Sequence, residues 1–282
     1  MKITHFKNID STNSYLQNLL DKGEDVSDNI VVTDFQTSGK GQGKNVWQSE
    51  DGMNLLFSIA LDMSFLKAED QFLLTQMVSV AMIDVLKNYL PEENLFIKWP
   101  NDIYFNDRKI AGILIKNEIK GMIMGTSIIG IGLNVNQTSF DESLPNPISM
   151  KMITGKDYDI EKILIEVVES LSRDVTYCTT ENKHGVIGAS KISLQVTESL
   201  SHRVTESQCQ SQCQSSTANS QQPTANSYIN HLYRYKQWAF YEHEGSIKEM
   251  MIIGYDRFGR LVLKEKNDRE VVCDLKEIIF KI

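Results

Sequence analysis

The chain has 282 residues, 41% of them hydrophobic, which is enough to bury one large core and a second, smaller one. Its 37 acidic residues outnumber 29 basic ones, for a formal net charge of −8, and no basic stripe stands out, which argues against a nucleic-acid binder. No apolar run reaches the roughly 18 residues that a membrane span needs. Met1-Lys2-Ile3-Thr4-His5 also lacks a signal-peptide core, so a cytoplasmic protein with reduced thiols is expected.

Residues 11–22 predict a helix, with Ser11 or Thr12 as its cap and Tyr15, Leu16, Leu19 and Leu20 at helical spacing. Residues 29–35, with Ile-Val-Val, read as a buried strand. Residues 36–52 are polar with glycines at 39, 41, 43 and 52 and read as a loop. A strand over 54–61 precedes a long apolar helix over 68–89 that contains no Gly or Pro. A short strand over 95–100 leads to Ile103-Tyr104-Phe105 and 109–116, which flank a turn at Asn106-Asp107-Arg108. Two strand-like pieces over 121–136 and a second long helix over 160–177 follow. The fold class is therefore α+β, a mixed, mostly antiparallel sheet with helices packed against it over residues 1–180.

Residues 199–227 differ in kind: Ser, Gln, Thr and Asn dominate, and Gln-Cys-Gln-Ser nearly repeats. Such sequence buries too little apolar surface to offset its ordering entropy, so a disordered insertion is expected over 181–227. Order returns at Tyr228 with an aromatic-rich helix or turn. Short strands over 247–255, 260–266, 269–274 and 278–282 predict a small SH3-like β-barrel over 228–282.

Four cysteines are present, at 178, 209, 213 and 273; the spacing of Cys209 and Cys213 does not suit zinc. The five histidines (5, 184, 202, 231, 243) support no nucleophilic triad, and there is no paired-carboxylate spacing. Chemistry must come from elsewhere. In Gly39-Lys40-Gly41-Gln42-Gly43-Lys44 the glycines let backbone N–H groups approach an anion, and the lysines add charge. The segment is not a P-loop, since Ser38 and Asn45 replace the required Gly and Ser/Thr; nor is it a dinucleotide fingerprint, since Lys44 replaces the third Gly. Trp47 closes the loop either as core or as a surface for a planar base.

Lys98 lies between Ile97 and Trp99, in a run that otherwise favours burial. A lysine at a strand end is usually solvated, but a partly buried one is costly unless an anion partners it. Pro100 stops the strand, and Asn101-Asp102 can hold polar groups in place. Asp10-Ser11-Thr12-Asn13 reads as a helix cap or as a set of hydroxyl and amide groups for a ligand. Gly130-Ile131-Gly132-Leu133-Asn134 reads as tight strand packing or as room for a flat ligand, with Asn134 orienting phosphate or metal.

The order of these pieces is more specific than any one of them. Asp-Ser-Thr-Asn, Gly-x-Gly-x5-Trp, Lys98-Trp99-Pro100-Asn101-Asp102, Arg108-Lys109-Ile110-Ala111-Gly112-Ile113-Leu114 and Gly-x-Gly-x-Asn together resemble the catalytic domain of biotin–protein ligases, over about residues 3–178. The resemblance implies a class II synthetase-like biotin- and ATP-binding domain with a C-terminal SH3-like barrel. It also implies a two-step reaction in which biotin and ATP form biotinyl-5′-AMP and the biotinyl group then passes to a lysine of a biotin carboxyl carrier protein. The carrier would belong to a biotin-dependent carboxylase such as acetyl-CoA carboxylase.

By the same resemblance Lys98 is the catalytic cation. Ser11, Thr12, Asn13, Gln36, Gly39, Lys40, Gly41, Gln42, Lys98 and Gly112 would hold biotin. Lys40, Gln42, Lys44, Trp47, Asn101 and Asn134 would hold ATP and the adenylate. Mg2+ would arrive on the ATP phosphates, near Asn134, with no site built from protein ligands alone.

Departures from the family pattern are Lys40 and Gln42 where arginines are common, and Lys116 where many relatives have Glu. No room remains before Asp10 for the winged-helix module of some relatives, so no DNA partner is expected; no membrane partner is expected either, and a homodimer is left open. The alternatives are a lipoate– or octanoate–protein ligase or transferase of the same fold, or a biotin-binding protein with impaired catalysis.

Overall fold

The protein, seen here in a computed structural model, is described over residues 2–181 and 221–281. Seven strands form the large sheet: β1 (Lys2–Ile9), β2 (Asn29–Gln36), β3 (Leu55–Asp62), β4 (Leu95–Lys98), β5 (Asp102–Phe105), β6 (Arg108–Lys120) and β7 (Ile123–Leu133). Their order is β1-β2-β3-β7-β6-β5-β4; β1 runs parallel to β2 and every other pairing is antiparallel. The expected mixed, mostly antiparallel sheet is therefore present.

Period-two alternation gives the sheet two different faces. Ile30, Phe57, Ile59, Ile129 and Ile131 face the main core, which also takes in α2 (Phe72–Leu86) and α4 (Ile160–Glu181). Val31, Ala60 and Ile128 face the other way and meet Leu16 of α1 (Thr12–Asp21). A short α3 (Met150–Thr154) ends at Gly155, whose φ is +74°. The helix expected over 68–89 is shorter, with a 3-10 turn over 68–70 ahead of α2.

The two strands expected over 121–136 are one continuous strand, β7. Its glycines do not interrupt it because β3 and β6 bond it on both sides. Strand β1 escaped the sequence reading because it is an edge strand with no fully buried residue.

Residues 182–220, including Cys209 and Cys213 and most of the expected insertion, lie outside the described residues. Residues 221–227, expected to be part of that insertion, form the first turns of α5 (Gln221–Asn230). Pro223 falls in the first turn, where its missing N–H has no helical partner to lose. The helix is held at its far end by Tyr228, which is fully buried and meets Phe72 and Tyr255 edge-on at 5.6 and 5.5 Å. The chain then adds to the free edge of β4: Ile97 N–H donates to His231 O at 2.7 Å, and Tyr233 N–H donates to Ile97 O at 2.9 Å.

The C-terminal sheet contains β8 (Trp238–His243), β9 (Ser246–Tyr255), β10 (Leu261–Glu265), β11 (Glu270–Cys273) and β12 (Ile278–Phe280), all antiparallel in the order β11-β10-β9-β8-β12. This is the small SH3-like unit expected, with β8 as a strand that the sequence reading missed. Its buried residues belong to the same core cluster as those of the large sheet, with Tyr228 and Leu232 also in it. Cys273 is buried, and burial pushes its thiol up to about 11.

One half-buried carboxyl sets a pH dependence. Burial, with the like charge of Asp84 on α2, pushes Asp174 on α4 up to about 7, from 3.8 for the free side chain. Below about pH 4 both folded and unfolded chains hold the proton, so there is no cost. Between pH 4 and 7 the unfolded chain ionises first, so stability falls as pH rises and the loss is complete above 7. An Asp174→Asn variant is therefore expected to melt about 4 °C or more above the parent at pH 8 and to match it near pH 3.5. Equal melting points at pH 8 would show that Asp174 carries no such cost.

A two-chambered candidate site at the glycine-rich loop

The cleft lies on the α1 face of the large sheet and is built from cross-strand neighbours. One row runs Leu114–Gly130–Ser58 across β6, β7 and β3; the next runs Lys98–Asp102–Gly112–Gly132 across β4, β5, β6 and β7. Small residues at Ser58, Gly112, Gly130 and Gly132 leave the sheet bare where other strands would raise side chains. The indole of Trp47 occupies that floor: a Cβ on Gly132 would lie 2.5 Å from its Cε2, and one on Gly112 2.9 Å from its Cζ3.

Residue 11 has the expected capping role and a place in the cleft. Ser11 caps α1, with extended backbone (φ −162°) and its Oγ accepting from Ser14 N–H, and it also lines the cleft. Thr12 N–H donates to Gln36 Oε1 at 2.9 Å, tying the helix start to the end of β2. Thr12 Oγ1 lies 2.8 Å from Ser58 Oγ. Asn13 is buried; its Nδ2 donates to Leu114 O at 3.4 Å, while its Oδ1 has no hydrogen-bond partner among the described residues.

The loop over 39–47 folds as a small hairpin. Lys40 bridges Val46, and Trp47 N–H donates to Gly39 O at 3.0 Å. Gln42 Nε2 donates to Asn101 Oδ1 at 3.0 Å, and the Asn101 amide in turn donates to Ile113 O. The loop is thus fastened over the sheet by Gln42.

Two hollows share Trp47 as a wall. The first, of about 100 Å³, is lined by Ser11, Thr12, Asn13, Gln36, Lys40, Gly41, Gln42 and Gly112 among others. The second, of about 420 Å³, is lined by Lys44, Trp47, Lys109 and Asn134 with Phe140 and Pro147. The biotin set read from the sequence therefore gathers in the first hollow, apart from Gly39, which is buried behind the hairpin, and Lys98. Of the nucleotide set, Lys44, Trp47 and Asn134 line the second, Lys40 and Gln42 line the first, and Asn101 lies behind Gln42.

Lys98 stands on the cleft face at the outer end of its row, but its ammonium turns away from both hollows and donates to Tyr104 Oη at 3.1 Å. Burial lowers its pKa from the usual lysine value; Asp102 opposes that shift, and Lys109 and Arg234 add to it.

Ser58, Lys109 and Lys276 escaped the sequence reading as functional candidates. Ser58 is one serine in an apolar strand with no motif around it. Lys109 and Asp102 form an ion pair at 2.7 Å on the cleft wall, with Lys109 Nζ 5.7 Å from the Trp47 ring; the pairing depends on the β5–β6 register. Lys276 of the barrel brings its Nζ within 3.1 Å of where a Cβ on Gly43 would sit, adding a cation at the loop tip that only the docking of the barrel supplies.

Residues 5–134 match the model of the Biotin/lipoate A/B protein ligase family. Among curated proteins, the chain is 33% identical over 142 residues to Bifunctional ligase/repressor BirA of Escherichia coli strain K12, which is 49% of this chain and 42% of that one. It is 38% identical over 110 residues to Biotin--protein ligase 1, chloroplastic, of Arabidopsis thaliana (38% and 29% of the two chains). It is 39% identical over 117 residues to the Biotin--protein ligase of Homo sapiens (39% and 16%). The chain thus spans less than half the length of these relatives. Among solved structures, the biotin protein ligase of Aquifex aeolicus in complex with biotin and ATP superposes with a TM-score of 0.67 at 20% identity, over 99% of this chain and 98% of that one, a likeness of fold.

Proposed function

From the match of residues 5–134 to the Biotin/lipoate A/B protein ligase family, we propose that this protein is a biotin–protein ligase. It binds biotin in the first hollow and MgATP across the second, and it passes the biotinyl group to a lysine of a biotin carboxyl carrier domain. In the first step a biotin carboxylate oxygen bonds to the α-phosphorus of ATP and pyrophosphate leaves. In the second the carrier amine attacks the acyl carbon, the bond to AMP oxygen breaks, and the amine loses its proton. Both steps shift charge at a phosphate beside a carboxylate, so fixed cations and backbone donors stabilise them without a covalent nucleophile.

The observation that carries the reading is the unpartnered Asn13 Oδ1 in a pocket end made of Thr12, Gln36 and Ser58. A ureido ring brings two N–H donors and a carbonyl acceptor to such a set. A dithiolane ring brings neither and would leave the buried polar groups unpaired, which a site rejects strongly. Lys40, Lys44 and Lys109 supply charge near the phosphates, and the Gln42–Asn101 bond holds the loop that shields the adenylate from water. Mg2+ enters with ATP as part of the substrate and neutralises its phosphates; among the described residues no group of three His, Cys, Asp or Glu is placed to hold a metal.

The test incubates the protein with MgATP, a carrier domain and either biotin or lipoate, and reads modification of the carrier lysine by mass shift. Biotin is transferred and lipoate is not; lipoate accepted with biotin refused would overturn the reading. In the same assay Asn13→Leu is expected to raise the biotin KM roughly 10- to 100-fold and to leave the ATP KM nearly unchanged. A biotin KM within twofold of the parent would remove Asn13 from the site.

A further inference from the structure

Lys98 is held between groups from both parts of the molecule, the hydroxyl end of Tyr104 and the ring of Phe280. Its Nζ lies 5.1 Å from the ring centre of Tyr104 on β5 and 5.1 Å from that of Phe280 on β12, the last strand of the barrel. Among the described residues, Tyr104 Oη is the oxygen it reaches within hydrogen-bond distance. Phe280 is itself fixed, edge-on to Tyr241 at 5.1 Å and tilted against Tyr233 at 6.2 Å; Tyr233 in turn lies 5.5 Å from Tyr104. The charged groups around Lys98 are Asp102, Lys109 and Arg234, and the last is anchored by Nη1 to Lys281 O at 2.9 Å. One attractive and two repulsive charges leave an ammonium that needs another source of stabilisation. A π face provides it, and more strongly where water is excluded.

We propose that Phe280 is a positioning residue for Lys98, its ring forming with the Tyr104 hydroxyl a cage that keeps the ammonium charged and fixed at the outer end of the row that leads into the cleft. The proposal rests on the reading of Lys98 as the cation of the adenylation step. It makes the barrel a working part of that site through one side chain, although the barrel contributes no residue to the first hollow.

The test compares the full chain with Phe280→Leu, which fills similar space without a π face, and Phe280→Tyr, which keeps the ring. Two readouts are taken: the rate at which acetic anhydride modifies Lys98, by peptide mapping of the ligand-free protein, and the kcat and KM of adenylate formation. In Phe280→Leu, Lys98 is expected to react at least threefold faster and kcat to fall roughly 5- to 20-fold, with the biotin KM within twofold. Phe280→Tyr should match the parent in both. Parent-like labelling of Lys98 in Phe280→Leu overturns the cage, and equal impairment of Phe280→Tyr and Phe280→Leu reduces Phe280 to packing. If Phe280→Leu does not fold, Phe280→Met, which also lacks a π face, is read the same way. A parent that forms no adenylate sinks the ligase reading, while the labelling rates still decide the cage.

Discussion

In a Lys98→Ala variant, formation of biotinyl-5′-AMP is expected to fall by roughly 100- to 1,000-fold, the loss typical when one fixed electrostatic donor is removed from a charge-developing site. The fold should survive intact, because a half-buried lysine is a cost that alanine relieves. Far-UV circular dichroism and the melting point should therefore match the parent while pyrophosphate release stops. Lys98→Arg should not restore the rate, since a planar guanidinium replaces the compact ammonium that Tyr104 and Phe280 enclose. The pH profile adds a second signature. Burial lowers the pKa of Lys98, so its charge, and the rate, should be lost as pH rises through a value below that of an ordinary lysine. Adenylate formation within threefold of the parent in Lys98→Ala would remove this residue from the mechanism.

The second large effect concerns the seam between the two sheets. Gly259 sits in the turn between β9 and β10 with φ +82°, and a Cβ there would lie 2.2 Å from Cγ of Phe72. The same residue accepts from Trp99 Nε1 at 2.8 Å, which ties the barrel to the segment that follows Lys98. Tyr228 Oη donates to Pro100 O at 2.7 Å beside it. Gly259→Ala meets both a backbone region that suits glycine and a ring that is packed against Tyr228 and Tyr255. Strain and overpacking together should cost roughly 2–5 kcal/mol, or about 5–15 °C in melting temperature. Replacing Phe72 by Leu in the same chain should recover part of that loss, since it removes the clash but not the backbone strain. A single variant that melts within 2 °C of the parent would show that the seam yields freely.

The departures in the glycine-rich loop acquire a physical account. Lys40 keeps a charge on the cleft wall, while Gln42 exchanges charge for a hydrogen bond to Asn101. The loop is thereby held through a neutral bond, and the cationic field around it is made up by Lys44, Lys109 and Lys276, which come from three separate parts of the chain. Nothing in the structure explains Lys116, which lies on β6 opposite Ile128.

The sequence alone determined the α+β class, most of the strands and helices, and the identity of the polar groups that gather in the first hollow. These were legible because they are local: hydrophobic period, caps and glycine spacing are written in neighbouring residues. Ser11, Thr12 and Asn13 fall together because one helix start carries them, and Gln36 joins them because β2 runs back past that start. What the tertiary structure decided depends on register and docking. Period-two alternation sets four small residues side by side only once β3, β6 and β7 are aligned, and this is why Ser58 was invisible in a strand of apolar neighbours. Trp47, open to two readings from its position, becomes the wall between two hollows because Gly112 and Gly132 pair across β6 and β7. Lys98 was visible as one cation at a strand end, but the surroundings of its ammonium were not, because the Phe280 ring beside it lies more than 180 residues away in the chain. A lysine can be read from its neighbours in sequence; the field that holds it is a sum over groups that only folding brings close.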